Sequence, residues 1–470
     1  MILALGASLR FASLADRPMH ADESMQADRF GTLLEKHSFQ YDPTEHHGPL
    51  LAYATLPAAW TARQWHYADL SEWTIRAVPA LAGLALVMLS FALAKSAGTG
   101  AGVAAATSTA VSPVLVYYSR YYIPEMLLVL LSAGLLFCIL GYQRSPGLRW
   151  AVPAGICAGM MYATKETAVV VFVAGGAACL AGRFRFRPVD LGVIALAAIA
   201  VGALLLQSQS VDSLRSLLIY AGRAASGGRH AHAWDYYLRT LVPAGDVFWL
   251  LAGLAAFVSL ARRHRLAAFL GAYAAVLTVL YSVLQYKTPW CVSGPVHAWI
   301  LTAAVGCAAL LESRRRRTAI VGALLVMVAA GVQAVRYSFP MAAESRNPYA
   351  YAHTRRDVYE IRDRVAQIAS LQPSGFATGI DIIAAETWWP LPWYLRRYSQ
   401  VRWWSAPPRT GRIGPIILCS PVHEDAVARL LYEIPPPGQR ELFVSLFPRP
   451  VWLRPGVEVR GYVAAGAAQP

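Results

Sequence analysis

Hydrophobic residues in this chain fall into long unbroken blocks, not into the alternating or one-faced patterns of a water-exposed fold. Apolar runs of roughly membrane-spanning length occupy residues 1–14, 77–94, 101–119, 123–142, 151–164, 167–182, 189–207, 241–261, 266–286, 293–311 and 318–336. Each predicts a helix, so the fold class expected is mainly α, a polytopic membrane bundle of about eleven spans. The first run is short and holds Arg10, and no A-x-A cleavage site follows it, which argues against a removable leader. The runs 151–164 and 167–182 are also short and are parted by Lys165–Glu166. Beyond 337 the pattern changes. Residues 354–371 and 423–433 repeat with helical period, while 376–383 and 415–420 read as buried strands. The expected organisation is a transmembrane domain, 1–337, with a long polar loop at 15–76, followed by a small α/β soluble domain, 338–470.

Basic residues orient this bundle. Five short loops between alternate runs hold Lys95; Arg144 and Arg149; Arg183, Arg185 and Arg187; Arg262, Arg263 and Arg265; and Arg314 to Arg317. If these face the cytoplasm, the positive-inside rule puts the N-terminus inside. The 15–76 loop, the turns at Arg120, Lys165 and Lys287, the segment 208–240 and the C-terminal domain then share the outer face. Segments 50–65 and 208–240 could lie at the interface as short helices, the former anchored by Trp60 and Trp65.

Composition agrees. Of 470 residues, 56% are hydrophobic and 15% charged, against about 25% charged in soluble domains. That excludes a disordered chain and disfavours a soluble enzyme. The net charge of +15 would suggest a nucleic-acid binder, but its basic residues sit in loops between apolar runs, so no nucleic-acid partner is expected. Six cysteines are scattered without a CxxC, which predicts neither a disulfide framework nor a zinc site.

Candidate chemistry lies on the outer face. Asp22–Glu23, within HADES (20–24), is an adjacent carboxylate pair suited to a general base or a cation ligand, or a solvated pair of no consequence. YDPTEHHGPLL (41–51) gathers Tyr41, Glu45, His46 and His47 before Gly48–Pro49, either a substrate-binding loop or a polar turn that opens a helix. Arg120 with Glu125, Lys165 with Glu166, and Lys287 occupy three turns. Cations at span ends often only snorkel to water. Three on the same face as the acidic loop make a site for an anionic head group such as a lipid phosphate. The run 388–404 holds five tryptophans, either sugar-stacking surface or, as we favour, a seat on the bilayer.

Taken in order, HADES, YDPTEHHGPLL, YYSRYYIPE (117–125), ATKET (163–167), YKTPW (286–290), NPYAY (347–351) and WPLPWYLR (389–396) resemble the blocks of the GT-C superfamily of integral-membrane glycosyltransferases. That superfamily includes protein O-mannosyltransferases and aminoarabinose transferases, and the closer likeness is to its flippase-activity-associated family. The resemblance runs over nearly the whole chain and implies transfer of a sugar from a polyprenyl-phosphate-linked donor on the extracytoplasmic side of a cell membrane, which we expect to be bacterial. It implies Asp22 as the base, with Glu23 the alternate. Arg120, Lys165, Lys287 and His47 are then expected to hold the donor phosphate, and Tyr41, Glu45, His46, Glu125 and Glu166 to contact substrate. Direct displacement would invert the anomeric centre. No cofactor is required, in keeping with the lack of a Gly-rich phosphate loop, although a divalent cation at Asp22–Glu23 is compatible. The acceptor, whether glycan, lipid or protein, is not indicated. The alternative is a flippase, or flippase accessory, for lipid-linked oligosaccharide, which should carry polar or broken helices near the midplane.

Overall fold

The computed structural model describes all residues except 45, 46, 315, 409–412, 437, 439, 469 and 470, and only the backbone of 208, 210 and 229. Helices occupy every apolar run. They are α1 (Ile2–Phe11), α2 (Ala21–Lys36), α3 (Leu50–Thr61), α4 (Glu72–Ser90), α5 (Ala94–Val111), α6 (Pro113–Tyr118), α7 (Glu125–Arg144), α8 (Leu148–Tyr162), α9 (Ala168–Ala181) and α10 (Pro188–Leu206). Next come α11 (Ser210–Ser226), α12 (Tyr236–Ala244), α13 (Val247–Leu260), α14 (Arg265–Val283), α15 (Ser293–Leu311) and α16 (Arg316–Ser338). Among the described residues six helical stretches are long and apolar enough to cross a membrane, or seven if α12 and α13 form one span. One of the six, Glu72–Val111, contains two of the expected spans, α4 and α5, which pack on each other, with a kink inside α5 at Ala97–Gly98. The expected span 241–261 is two helices bent by 107° around Gly245–Asp246, where Gly245 takes a left-handed φ of 84°.

Small residues set the helix pairing. Gly155 and Gly159, four apart on α8, face α10 so closely that an added Cβ would lie 2.5 Å from the carbonyl oxygens of Ile194 and Ala198. Without side chains between them the two helices gain close van der Waals packing, the main attraction available in lipid. Arg10, the charge that made α1 an awkward span, points into the bundle. It donates to the carbonyls of Gly6, Ala110 and Thr109 and to Ser119 Oγ.

The basic loops meet at one end of the bundle. Arg144 bonds Ser96, Gln143 bonds the carbonyl of Arg185 at 3.0 Å, and Arg265 bonds that of Gly182 at 3.1 Å. At the other end sit α2, α3 and the C-terminal part. The latter contains α17 (Asp357–Leu371), β1 (Ile380–Ile383), α18 (Leu391–Tyr394), β2 (Val401–Trp404), β3 (Ile416–Cys419), α19 (Glu424–Tyr432), β4 (Phe443–Ser445), β5 (Val451–Arg454) and β6 (Val457–Ala464). The sheet order is β2-β1-β3-β6-β4, with β5 paired to β6; the first three strands are parallel and the β6 pairings antiparallel.

The outer loop and the C-terminal part share one hydrophobic core. Phe30, Leu33 and Leu34 of α2 join Val358 and Ile361 of α17, Ile380 and Ile382 of β1 and the wholly buried Trp393. This corrects the expectation that the aromatic run 388–404 seats on the bilayer. Trp393 instead stacks near Tyr67 at 6.0 Å and donates to Glu72, while Arg396 bonds the carbonyl of Leu70. The 393–397 part of the run packs against loop 15–76.

Candidate active site

HADES forms the start of α2 as a capping box. His20 is the N-cap, its Nδ1 accepts from the backbone N–H of Asp22, and Glu23 at the third position accepts from the N–H of His20. This geometry sends the two neighbouring carboxylates to opposite fates. Glu23 turns inward and is fully buried. One oxygen accepts from Arg17 (2.8 Å), Arg76 Nε (2.9 Å) and the N–H of Tyr122 (2.9 Å); the other accepts from His20 N–H (2.8 Å) and Arg76 (3.1 Å). Burial alone would raise its pKa, but Arg17 and Arg76 overcome that and hold it down at about 2. Glu23 therefore cannot act as the alternate base; it is the anionic centre of an Arg–Glu–Arg anchor. Nor can the pair share a divalent cation, because both Glu23 oxygens are already engaged.

Asp22 turns outward. Its side chain is 44% exposed and its nearest ionic neighbour is His20 Nδ1 at 4.0 Å. The same His20 ring lies 6.0 Å from Trp290, and its Nε2 is 2.7 Å from the carbonyl of Tyr351. Trp290 in turn lines a cleft with Glu125, Lys165, Tyr273, Tyr281 and Cys291. Asp22 thus lies two residues from a ring that neighbours Trp290, a wall of the cleft that holds Lys165. Tyr286, in the turn after α14, feels both charges. Burial pushes its hydroxyl up to about 12, with Lys165 opposing and Asp22 adding to the rise.

Lys165 is buried and ion-paired with Glu125 at the start of α7. Its neighbour Glu166 gathers the second motif. Its oxygens accept from Tyr41 (3.1 Å) and Ser216 of α11 (3.0 Å) and pair with His47 Nδ1 (2.8 Å). Burial would raise the Glu166 pKa, but His47 and these bonds lower it. Gly48 makes the junction possible: a Cβ there would lie 2.2 Å from the carbonyl oxygen of Ala163, which already accepts from Leu50 N–H at 3.1 Å. Tyr41, His47, Glu125, Lys165 and Glu166, distant in sequence, therefore meet. Glu45 and His46 lie outside the described residues.

Two expected phosphate ligands have other partners. Arg120 caps the C-terminal end of α1, donating to the carbonyls of Leu9, Arg10, Ala12 and Ser13. Four orphan carbonyls occupy the guanidinium face that an anion would need. Lys287 is buried and donates to the carbonyls of His232 and Leu284, tying the 230–232 segment to the end of α14. Sequence reasoning missed Arg17, Arg76, Trp290, Tyr351 and Arg223. Arg223, on α11, stacks on Tyr220, bonds the carbonyl of Thr44 and lies in the field of Tyr286. The signal for the anchor was present: His-x-x-Glu has capping-box spacing, and Arg76 stands at the head of the apolar run 77–94.

Residues 56–209 match the family model of dolichyl-phosphate-mannose-protein mannosyltransferases. Over its full length the chain superposes on 98% of ArnT from Cupriavidus metallidurans, in the apo state with a TM-score of 0.70 and bound to undecaprenyl phosphate with 0.67, each at 15% identity. It also matches the oligosaccharyltransferase of Archaeoglobus fulgidus tethered with an acceptor peptide, with a TM-score of 0.59 and 14% identity over 85% of this chain and 62% of that one. No curated protein sequence matches. The chain therefore has the fold of these two transferases.

Proposed function

We propose that the protein transfers a sugar from a polyprenyl-phosphate-linked donor to an acceptor hydroxyl at the extracytoplasmic face of the membrane. What supports this reading is the exposed carboxylate of Asp22 on the helix cap whose His20 ring neighbours Trp290, a wall of the cleft that holds Lys165. Asp22 takes the proton of the acceptor hydroxyl as that oxygen bonds the anomeric carbon. The bond from that carbon to the phosphate oxygen breaks, and polyprenyl phosphate leaves with the electron pair, inverting the anomeric centre. Lys165 and Arg223, not Arg120 or Lys287, balance the charge that grows on the phosphate. The binding of undecaprenyl phosphate by ArnT supports the donor class. Tyr41, His47 and Glu166 position the loop against α11. Gathering of the basic loops at the opposite end supports a cytoplasmic N-terminus and an extracytoplasmic C-terminal domain.

The flippase alternative finds one feature in its favour, the break between α12 and α13. Asp246 at that break is saturated: it accepts from Ser112 (2.7 Å), Val114 N–H (2.8 Å) and Tyr349 (2.5 Å). It pins helices together and offers no polar path. Reconstitution in liposomes with a labelled polyprenyl-phosphate sugar separates the two. Transfer that is lost in Asp22→Asn supports the enzyme; label that crosses the bilayer still attached to lipid refutes it.

A further inference from the structure

A second, open crevice lies at the carboxyl ends of β1 and β3. The chain leaves these two strands toward opposite faces of the sheet. After β1 it enters α18, whose Leu391 packs with Ile380 and Ile382; after β3 it enters α19, whose Val427 and Leu431 pack with Ile417 and Cys419. Such divergence between neighbouring parallel strands leaves a crevice, and that is where open α/β sheets bind ligands. Glu386, Thr387, Trp388, Ser420, Leu453 and Glu458 line it. Trp388 sits 5.3 Å from Trp403, so the wall is an aromatic plate. An indole face suits the C–H side of a sugar ring, and carboxylates and hydroxyls accept from sugar hydroxyls. Glu458 is paired with Arg460 at 3.1 Å, so Glu386 is the carboxylate that disfavours a phosphorylated or acidic ligand.

The crevice is bound to the loop that carries Asp22. Leu453 accepts from Arg355 N–H at 3.0 Å, and the adjacent Thr354 hydroxyl donates to Met19, three residues before Asp22, at 2.6 Å. Arg454 donates to the Thr387 carbonyl at 2.9 Å, keeps a buried Nε without a partner among the described residues, and lies in the field of both Glu386 and Asp22. We infer that this crevice is the acceptor site and that its occupant is a saccharide free of phosphate and carboxylate, presented past Arg454 to Asp22. The inference rests on the reading of Asp22 as base.

Saturation-transfer NMR on the full chain in detergent tests it, with methyl α-D-mannoside and D-glucosamine as probes and glucose 6-phosphate as the excluded ligand. The first two should receive saturation and the third should not. Trp388→Ala should weaken binding about three- to tenfold, the worth of one aromatic contact. Glu386→Gln, on an exposed loop, should also weaken it with the unfolding temperature unchanged, while Asp22→Asn should leave it intact. Saturation of neither probe, equal saturation of the phosphate sugar, or binding unchanged in both crevice variants overturns the inference. Transfer lost in Asp22→Asn with crevice variants silent would sink the crevice alone. Crevice-dependent binding with full transfer in Asp22→Asn would sink the base and leave the crevice standing.

Discussion

Neighbouring residues Asp22 and Glu23 should respond to the same chemical change in opposite ways. Glu23→Gln removes the negative charge between Arg17 and Arg76, which approach it at 2.8 and 2.9 Å in a fully buried setting. Breaking a buried charge pair by deleting one partner costs about 3–5 kcal/mol. The depressed pKa gives the same scale: from 4.5 to about 2, at about 1.4 kcal/mol per unit, is about 3 kcal/mol. The new amide would also place an N–H₂ against donors from Arg76, Arg17 or Tyr122. Asp22→Asn alters a side chain that is 44% exposed, and its stability cost should stay within about 0.5 kcal/mol. Thermal unfolding of the two purified variants in detergent, paired with a sugar-transfer assay, reads both effects. Glu23→Gln should lower the apparent Tm by about 3–5 °C and lose transfer in proportion to folded protein. Asp22→Asn should keep the wild-type Tm and lose at least about 100-fold in turnover, the contribution of a positioned general base. A stable, inactive Glu23→Gln beside an active Asp22→Asn would reverse the assignment and refute the reasoning.

Further outcomes follow from other contacts. The Glu23 anchor stabilises the fold fully above its unfolded pKa and loses that contribution as pH falls from about 4.5 toward about 2; acid unfolding of the wild type should deepen across that window and flatten in Glu23→Gln. Lys165→Met should raise KM for the polyprenyl donor and lower kcat, and because it strands buried Glu125, the double variant with Glu125→Gln should recover stability but not transfer. Gly48→Ala drives a Cβ against the Ala163 carbonyl, so it should cost about 1–3 kcal/mol and reduce transfer, measured as a fall in Tm and in kcat/KM. Arg120→Ala should destabilise α1 with an unchanged KM for donor in the folded fraction, whereas Arg223→Ala should raise that KM.

The sequence made the helices legible because lipid-facing runs need no partner to announce themselves: continuous apolarity is the signal, and it marked every bundle helix. Their ends and breaks were less legible. Gly245–Asp246 lies inside one hydrophobic run, and only Asp246's tertiary partners Ser112 and Tyr349 explain the turn there. At the site, motif reading brought Tyr41, His47, Glu125, Lys165 and Glu166 to the same region. It failed where two residues of one type differ only in direction. The His-x-x-Glu spacing marks Glu23 as a cap, but its partner Arg76 lies fifty-three positions away and nothing local announces it. Likewise Arg120 sat in the right turn, but the carbonyls it caps belong to α1. The aromatic run was placed on lipid because its true partner, α2 with Tyr67, is more than three hundred residues earlier.

The central claim is that the donor phosphate enters the cleft between Lys165 and Trp290, within reach of Asp22. A polyprenyl phosphate bearing a diazirine on its first isoprene unit, photolysed with the protein in nanodiscs, reads this directly. Mass spectrometry should find the label on 125–132 or 277–294, displaced by unlabelled polyprenyl phosphate and lost in Lys165→Met with Glu125→Gln. Labelling confined to the end of the bundle where Arg144, Arg185 and Arg265 gather would contradict the account.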